Sequence, residues 1–301
     1  EETMHTAVQY VDTAMVGSLG TQATAAVGAT STVNWLIGST VSAVGVGFLA
    51  YVSRACGAGD TRRAGKAASQ AVLAVLLCGL LFTGLTLGLS GEIPKWMQVD
   101  ENIQQIASTY FFVLYTPMLA RTATTIFSTV LRAAGDSKTP MKIGVAVNLI
   151  NVILNFVFIY ETRSVTLFDE SFTLFGLGLG VVGAALASAV AFLIGGILTT
   201  VAIFKHPVIS PKNESILPDK KILLPCLKVA LPNMLQRFGT SFGYVLFASM
   251  INSLGEVSTA AHTVANTVES LFYIPGYGMQ AAAATLAGNA VGAEDKITLN
   301  Y

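Results

Sequence analysis

Charged side chains are scarce in this sequence of 301 residues. Asp, Glu, Lys and Arg make up 11% of it and apolar residues 53%, whereas about a quarter of a soluble domain is charged. The stretch from Thr21 to Ser53 contains no charged residue at all. A membrane-spanning helix needs about 20 mostly apolar residues, so this composition excludes a soluble domain and predicts an all-α polytopic membrane protein in a lipid bilayer.

Cysteine, histidine and net charge are also scarce, and each shortage excludes a class of function. The three cysteines are scattered and predict neither a disulfide framework nor a metal site. The three histidines lie on different segments, which disfavours a membrane enzyme with clustered catalytic ligands. The net charge is zero, so no basic surface indicates nucleic acid as a partner.

The apolar stretches predict eight spans. The first span ends near Gly17. The other seven are Thr21–Ser53, Ala67–Leu89, Ile103–Leu131, Ile143–Tyr160, Gly180–Phe204, Val229–Leu254 and Ser258–Leu286. The first span is short and the chain opens inside it, so we expect a fragment that lacks part of the first helix. Proline is expected to interrupt the fourth span at Pro117 and the eighth at Pro275.

The loops between the spans predict how the chain lies in the membrane. Nearly all Lys and Arg residues fall in alternate loops; Lys95 and Arg163 lie on the opposite side. The positive-inside rule then places the long polar segment Lys205–Lys221 in the cytoplasm. This segment contains three prolines and is the predicted boundary between two halves. Glu161–Leu174 is expected to be a polar loop on the other side.

Part of the sequence occurs twice. Residues 15–60 align without a gap on residues 250–295, and 14 positions are identical. Gly57-Ala58, for example, returns as Gly292-Ala293. Six predicted spans separate the copies, so both have the same orientation. This predicts a parallel repeat about an axis along the membrane normal, with a substrate cavity between the halves.

Four motifs resemble those of the multidrug and toxic compound extrusion (MATE) transporters. They are Val11–Gly17, Gly57–Asp60, Leu131–Pro140 and Pro232–Gln236. The resemblance implies two six-helix lobes. The N-terminal lobe would be residues 1–210, and residues 211–301 would form the central loop and the start of an incomplete second lobe.

The resemblance also implies a function. Such proteins are antiporters, not enzymes, and export cationic or amphipathic compounds in exchange for H⁺ or Na⁺, with no other cofactor. We expect a monomer in the plasma membrane, and we expect that the 301 residues do not function alone.

One carboxylate, Asp12, lies in the first predicted span. A charged side chain at the centre of a spanning helix costs about 2.5–3.5 kcal/mol on insertion scales, so an acid there predicts a functional site. The resemblance gives the acid at this position the role of coupling residue. The alternative is an Asp that simply faces water near the outer surface. The repeat pairs Asp12 with Phe247, so the second copy lacks the acid.

Three asparagines of the fifth span, Asn148, Asn151 and Asn155, lie on one helix face because of their i, i+3, i+7 spacing. Their amides could coordinate sodium or hold a protonated Asp. They could equally form hydrogen bonds between helices, and the sequence leaves both open. The resemblance implies that Asn151, Asn155 and the hydroxyl of Ser188 line a first-lobe cation site, with sodium at Asp12, Asn151 and Asn155.

Three more charges lie deep in predicted spans: Arg121, Arg237 and Glu269. Each either pairs with an opposite charge or faces a water-filled cavity. The alternative is contact with substrate, and the acidic Glu269 suits a cationic substrate best. Family members with a second-lobe sodium site carry an acid near the position of Thr240, which this sequence lacks.

Two alternatives keep a membrane protein but change its function. A flippase of lipid-linked saccharides would have the same type of fold, and a large basic cavity would favour it. A passive channel is disfavoured by the repeat.

Overall fold

The computed structural model describes residues 11, 14–96, 101–167, 170–253 and 256–295, and most of them are helical. Residues 14–17 are helical and precede the first long helix. The helices are α1 (Thr21–Gly57), α2 (Thr61–Gly88), α3 (Ile93–Trp96), α4 (Glu101–Tyr115), α5 (Met118–Ala133), α6 (Lys138–Ile159), α7 (Gly180–Lys205), α8 (Lys220–Ser253) and α9 (Glu256–Gly292). Two strands, β1 (Glu161–Leu167) and β2 (Glu170–Leu177), lie between α6 and α7.

Several of these helices match the predicted spans. Within the described residues, four are long and apolar enough to cross a membrane: Val33–Gly57, Thr61–Gly88, Lys138–Ile159 and Gly180–Lys205. At 1.5 Å per residue α1 is about 55 Å long, longer than the roughly 30 Å hydrocarbon core of a bilayer. Its end therefore projects beyond the apolar layer, where its one charged residue, Arg54, can meet water.

Prolines break one predicted span but not the other. The fourth span consists of α4 and α5, which are separated at Pro117 as predicted. In contrast, α9 continues through Pro275, so the predicted interruption there is wrong. A proline removes one backbone donor, and neighbouring helices in a membrane protein can compensate for that loss. Helix α8 likewise continues through Pro225 and Pro232. It therefore starts at Lys220, earlier than the predicted Val229.

Glycines let the helices of the first half approach closely. A Cβ at Gly183 of α7 would overlap the Phe158 carbonyl oxygen of α6, and one at Gly196 would lie 2.6 Å from the Ala120 Cβ of α5. Small residues at such contacts are typical of membrane helices. Large side chains fill the core between the helices, among them Phe48, Phe111, Tyr115, Phe127 and Ile203. The result is a tightly packed bundle around α1, α5 and α7.

The segment Glu161–Leu174, predicted as a polar loop, forms an antiparallel hairpin instead. Its register pairs Glu161 with Leu177 and Leu167 with Glu170, with an irregularity near Arg163. The segment contains several threonines together with valine and phenylalanine, which favour strands. The prediction was wrong because it considered polarity and not strand propensity.

The end of α1 is repeated at the end of α9. The Asp60 amide donates to the Ala55 carbonyl over 3.0 Å, and 235 positions later the Asp295 amide donates to the Ala290 carbonyl over 3.0 Å. In both copies the residue before the aspartate has a positive φ, 71° in the first and 56° in the second. This common helix ending supports the repeat that the sequence predicts.

The long polar segment between α7 and α8 is fixed to α2. Buried Gln70 donates to the Leu217 carbonyl over 2.9 Å and accepts from the Asp219 amide over 3.0 Å. The Ser69 hydroxyl donates to the Ser215 carbonyl over 2.7 Å. The segment is thus held on the first half of the chain. The boundary at residues 210 and 211 stays a prediction.

Candidate functional site

The structure brings together two of the three asparagines and the predicted serine. Asn151 and Asn155 on α6 are 6% and 1% exposed. The Asn155 Nδ2 donates to the Asn151 Oδ1 over 3.2 Å, and the Asn151 Nδ2 donates to the Ser188 Oγ on α7 over 3.2 Å. We call these three residues the amide network. Asn148 is half-buried and has no hydrogen bond to the network among the described residues.

Helix geometry explains this network. Asn151 and Asn155 are four residues apart, so their side chains lie one above the other on the same face of α6. That face packs against α7, where Gly183 permits the close contact with Phe158. Buried amides need hydrogen-bond partners, and the network supplies one to the Asn155 Nδ2 and to both side-chain polar atoms of Asn151.

The end of the first helix lies against the same pair of helices. Met15 is 6% exposed and belongs to a hydrophobic cluster with Ile159 of α6 and Ala184 of α7. The Ser18 and Tyr160 hydroxyls are 2.9 Å apart. The sequence reasoning missed Tyr160, which directly follows the asparagine-bearing helix. Asp12 lies outside the described residues, but Met15, three positions later in the chain, is docked beside α6.

The chemistry of the amide network suits hard cations or protons. Its oxygens are neutral amide and hydroxyl acceptors, and hard cations prefer oxygen ligands, Asn carbonyls among them. In the described part of the chain no three His, Cys, Asp or Glu residues cluster into a metal site. The hydrogen bond from Asn151 to Ser188 also joins α6 to α7, as expected if the asparagines only connect helices. The geometry therefore accommodates both a cation site and a purely interhelical role.

Arg121 lies near the start of α5, between aromatic rings from two other helices. Its guanidinium carbon is 4.9 Å from the centre of the Phe192 ring and 5.6 Å from that of Tyr115. The Tyr115 hydroxyl donates to the Asn34 Oδ1 on α1 over 2.8 Å. No ion pair joins Arg121 to an acid among the described residues. The aromatic faces stabilise the cation instead, which the sequence could not reveal because the rings lie on α4 and α7.

Arg237 and Glu269 lie on α8 and α9, in the second half of the chain. The Arg237 Nε on α8 donates to the Asn233 Oδ1 over 2.8 Å. Glu269 is exposed on α9. Among the described residues neither forms an ion pair, and no hydrogen bond joins them to Arg121 or to the amide network. Their role as substrate-cavity residues stays a prediction.

The aspartates of two loop motifs have a structural role. Asp60 accepts a 2.8 Å hydrogen bond from the Arg63 amide and caps α2. Asp136 accepts one of 3.0 Å from the Thr139 amide at the start of α6. Partial burial raises the pKa of Asp136, but the hydrogen bonds of Thr139 and the nearby His206 outweigh it and leave the pKa below its ordinary value. These motif residues thus stabilise helix starts.

Comparison with known proteins gives the family. The MatE family model matches residues 2–157 and 232–300. The probable multidrug resistance protein NorM of Thermotoga maritima is 27% identical over 95% of this chain and 59% of its own length. The probable multidrug resistance protein YpnP of Bacillus subtilis is 25% identical over 94% of this chain and 60% of its own length. The chain thus spans about three fifths of these relatives.

Solved structures agree with this assignment. A crystal structure of MATE in complex with MaD3S matches with a TM-score of 0.89 at 25% identity, over 99% of this chain and 64% of that one. A multidrug resistance MATE family transporter of the MOP superfamily in an outward-facing conformation gives a TM-score of 0.87 at 25% identity, over 99% of this chain and 64% of that one. These matches confirm the helical multi-pass membrane fold. The relatives are named as multidrug resistance proteins or transporters and not as enzymes, which agrees with the prediction from the sequence. The chain therefore belongs to the MatE family, as its sequence motifs indicated.

Proposed function

We propose that the complete protein containing this chain is a cation-coupled antiporter that exports cationic or amphipathic compounds by alternating access. Both curated relatives described above are named as probable multidrug resistance proteins. We further propose that it lies in the plasma membrane with the segment between α7 and α8 in the cytoplasm, because of the Lys and Arg distribution.

The observation that carries the coupling proposal is the amide network. Asn151 and Asn155 are almost fully buried inside an apolar bundle, and polar residues in such positions commonly mark ion pathways. Met15 and Val16, which follow Asp12 closely in the chain, pack against α6 and α7. In the proposed cycle, H⁺ or Na⁺ neutralises Asp12 beside the network. The ion can drive the cycle because it binds one conformation better than the other.

The test is transport by the complete protein in proteoliposomes. We expect uptake of a fluorescent cationic dye under an imposed pH gradient or an imposed sodium gradient, and the effective gradient identifies the coupling ion. Dye uptake under neither gradient would contradict the antiport proposal. Movement of a lipid-linked saccharide between leaflets in the same vesicles would then favour a flippase.

Replacement of Asn155 by Leu is expected to lower the affinity of the protein for the coupling ion and to leave the fold intact. Leu has the same number of side-chain heavy atoms with the same branching, but it removes both the hydrogen bond to Asn151 and the amide oxygen. We expect the ion concentration that gives half-maximal dye uptake to rise about tenfold, the equivalent of about 1.4 kcal/mol.

The matched control for this change is Asn148→Leu, seven positions earlier on the same helix face. Asn148 has no hydrogen bond to the amide network among the described residues, so its replacement should shift the half-maximal ion concentration by less than about twofold. Equal shifts in both variants would show that the network does not bind the ion and only joins α6 to α7.

A further inference from the structure

The helices α1 and α9 cross with their backbones in direct contact. A Cβ at Gly57 of α1 would overlap the carbonyl oxygen of Asn289 of α9 and lie 2.7 Å from its Cα. A Cβ at Gly292 of α9 would overlap the carbonyl oxygen of Arg54 of α1. No side chain larger than hydrogen fits at either glycine, so the two backbones exclude water between them.

This crossing is symmetric with respect to the repeat. Gly57 and Gly292 are 235 positions apart, and so are their contact residues Arg54 and Asn289. Gly57 packs on Asn289 and Gly292 packs on Arg54, and Arg54 and Asn289 are equivalent positions of the two copies. Equivalent ends of α1 and α9 can meet in this way only near the axis that relates the two repeats.

The close contacts lie at one end of the helices. Next to the crossing, a Cβ at Gly288 would overlap the hydroxyl of Ser53, which is fully buried. Gly47 packs on the carbonyl of Cys226 in α8. Further along α8 and α9, the glycines at positions 239, 243, 276 and 278 have no described atom within 4 Å of a built Cβ. Among the described glycines, the close backbone contacts between the two repeats thus lie at the Arg54 end.

We propose that the crossing of Gly57 and Gly292 is the inner gate of the transporter. This inference rests on the proposed alternating-access function and on the orientation that places Arg54 in the cytoplasm. The gate closes the cavity on the cytoplasmic side while the outer side is open. It can open because glycine contacts to a carbonyl are individually weak.

The test measures access to Ser53 in the complete protein with its other cysteines replaced. A single Ser53→Cys reporter is exposed to a membrane-impermeant maleimide added on the cytoplasmic side of inside-out vesicles. With the gate closed we expect slow labelling. Gly57→Leu and Gly292→Leu should each separate the helices and speed labelling about tenfold, and the two effects should agree within about threefold because the contacts are equivalent.

Gly278→Leu serves as the control, because it adds the same side chain to α9 where a Cβ has open space. It should leave the labelling rate unchanged. Misfolding is detected by adding the maleimide to right-side-out vesicles, in which an opened inner gate leaves the reporter protected. Rapid labelling from both sides in the Leu variants would overturn the proposal, as would labelling as slow as in the reporter parent.

A second measurement uses the reporter without further substitution. During dye transport driven by the effective ion gradient, labelling from the cytoplasmic side should accelerate as the gate opens in each cycle. Transport without faster labelling would overturn the gate proposal and leave the transport function intact. If no dye moves but the Leu variants still show the side-specific increase, the antiport proposal fails and the crossing remains the cytoplasmic closure.

Discussion

Replacement of Asp12 by Asn in the complete protein is expected to abolish uptake of the cationic dye against its gradient. Neutralising a carboxylate within an apolar span is worth about 2.5–3.5 kcal/mol on insertion scales, which corresponds to about a 100-fold change in an equilibrium. The Asn variant is neutral at every stage, so the ion gains nothing by binding. The measurement is the initial rate of dye uptake under the pH and sodium gradients.

The control for this prediction is Glu269→Gln, which removes the other deep acid. Glu269 is exposed on α9, so its loss should change the dye concentration for half-maximal uptake without uncoupling uptake from the ion. Dye binding to the Asp12→Asn variant should persist. If this variant accumulates dye as fast as the parent protein, Asp12 is not the coupling residue.

The second large effect is on stability. Gly196→Ala is expected to destabilise the bundle, because the new Cβ would lie 2.6 Å from both the Ala120 Cβ and its carbonyl oxygen. Overpacking of this kind typically costs about 1–3 kcal/mol. For a unit of about 200 residues each kcal/mol shifts the melting temperature by about 2–4 °C. Thermal unfolding in detergent, followed by helical circular dichroism, would show the decrease.

Gly84→Ala provides the matched control. Gly84 lies within α2, and a Cβ there has no atom within 4 Å, so the change should leave stability unchanged or raise it by up to about 1 kcal/mol through helix propensity. Melting temperatures that fall equally in both variants would show that the close contact of α5 and α7 is not responsible.

Much of the candidate site could be read from spacing. Asn151 and Asn155 were predicted to share a face because four residues make about one helical turn, and the structure joins them by a hydrogen bond. The residues around Arg121 could not be predicted. Phe192 is far from Arg121 in the sequence and contacts it only because α5 packs against α7.

Polarity alone was a poor guide in the connecting segments. It indicated a loop where β1 and β2 pair, and it gave no sign that Gln70 holds the segment between α7 and α8. Hydrogen bonds of the main chain are specified by partners from elsewhere in the fold, and a local polarity pattern does not contain them.

The sequence by itself determined the membrane class, the four spans that the described residues bear out, the repeat and the family. These depend on composition, on apolar length and on motifs, all of which are local properties. The tertiary structure decided which of these residues meet: the amide network across α6 and α7, the aromatic surroundings of Arg121 and the crossing of Gly57 with Gly292. Such contacts depend on how closely helix backbones approach each other. A glycine permits a close approach, but the sequence does not show which helix packs against it.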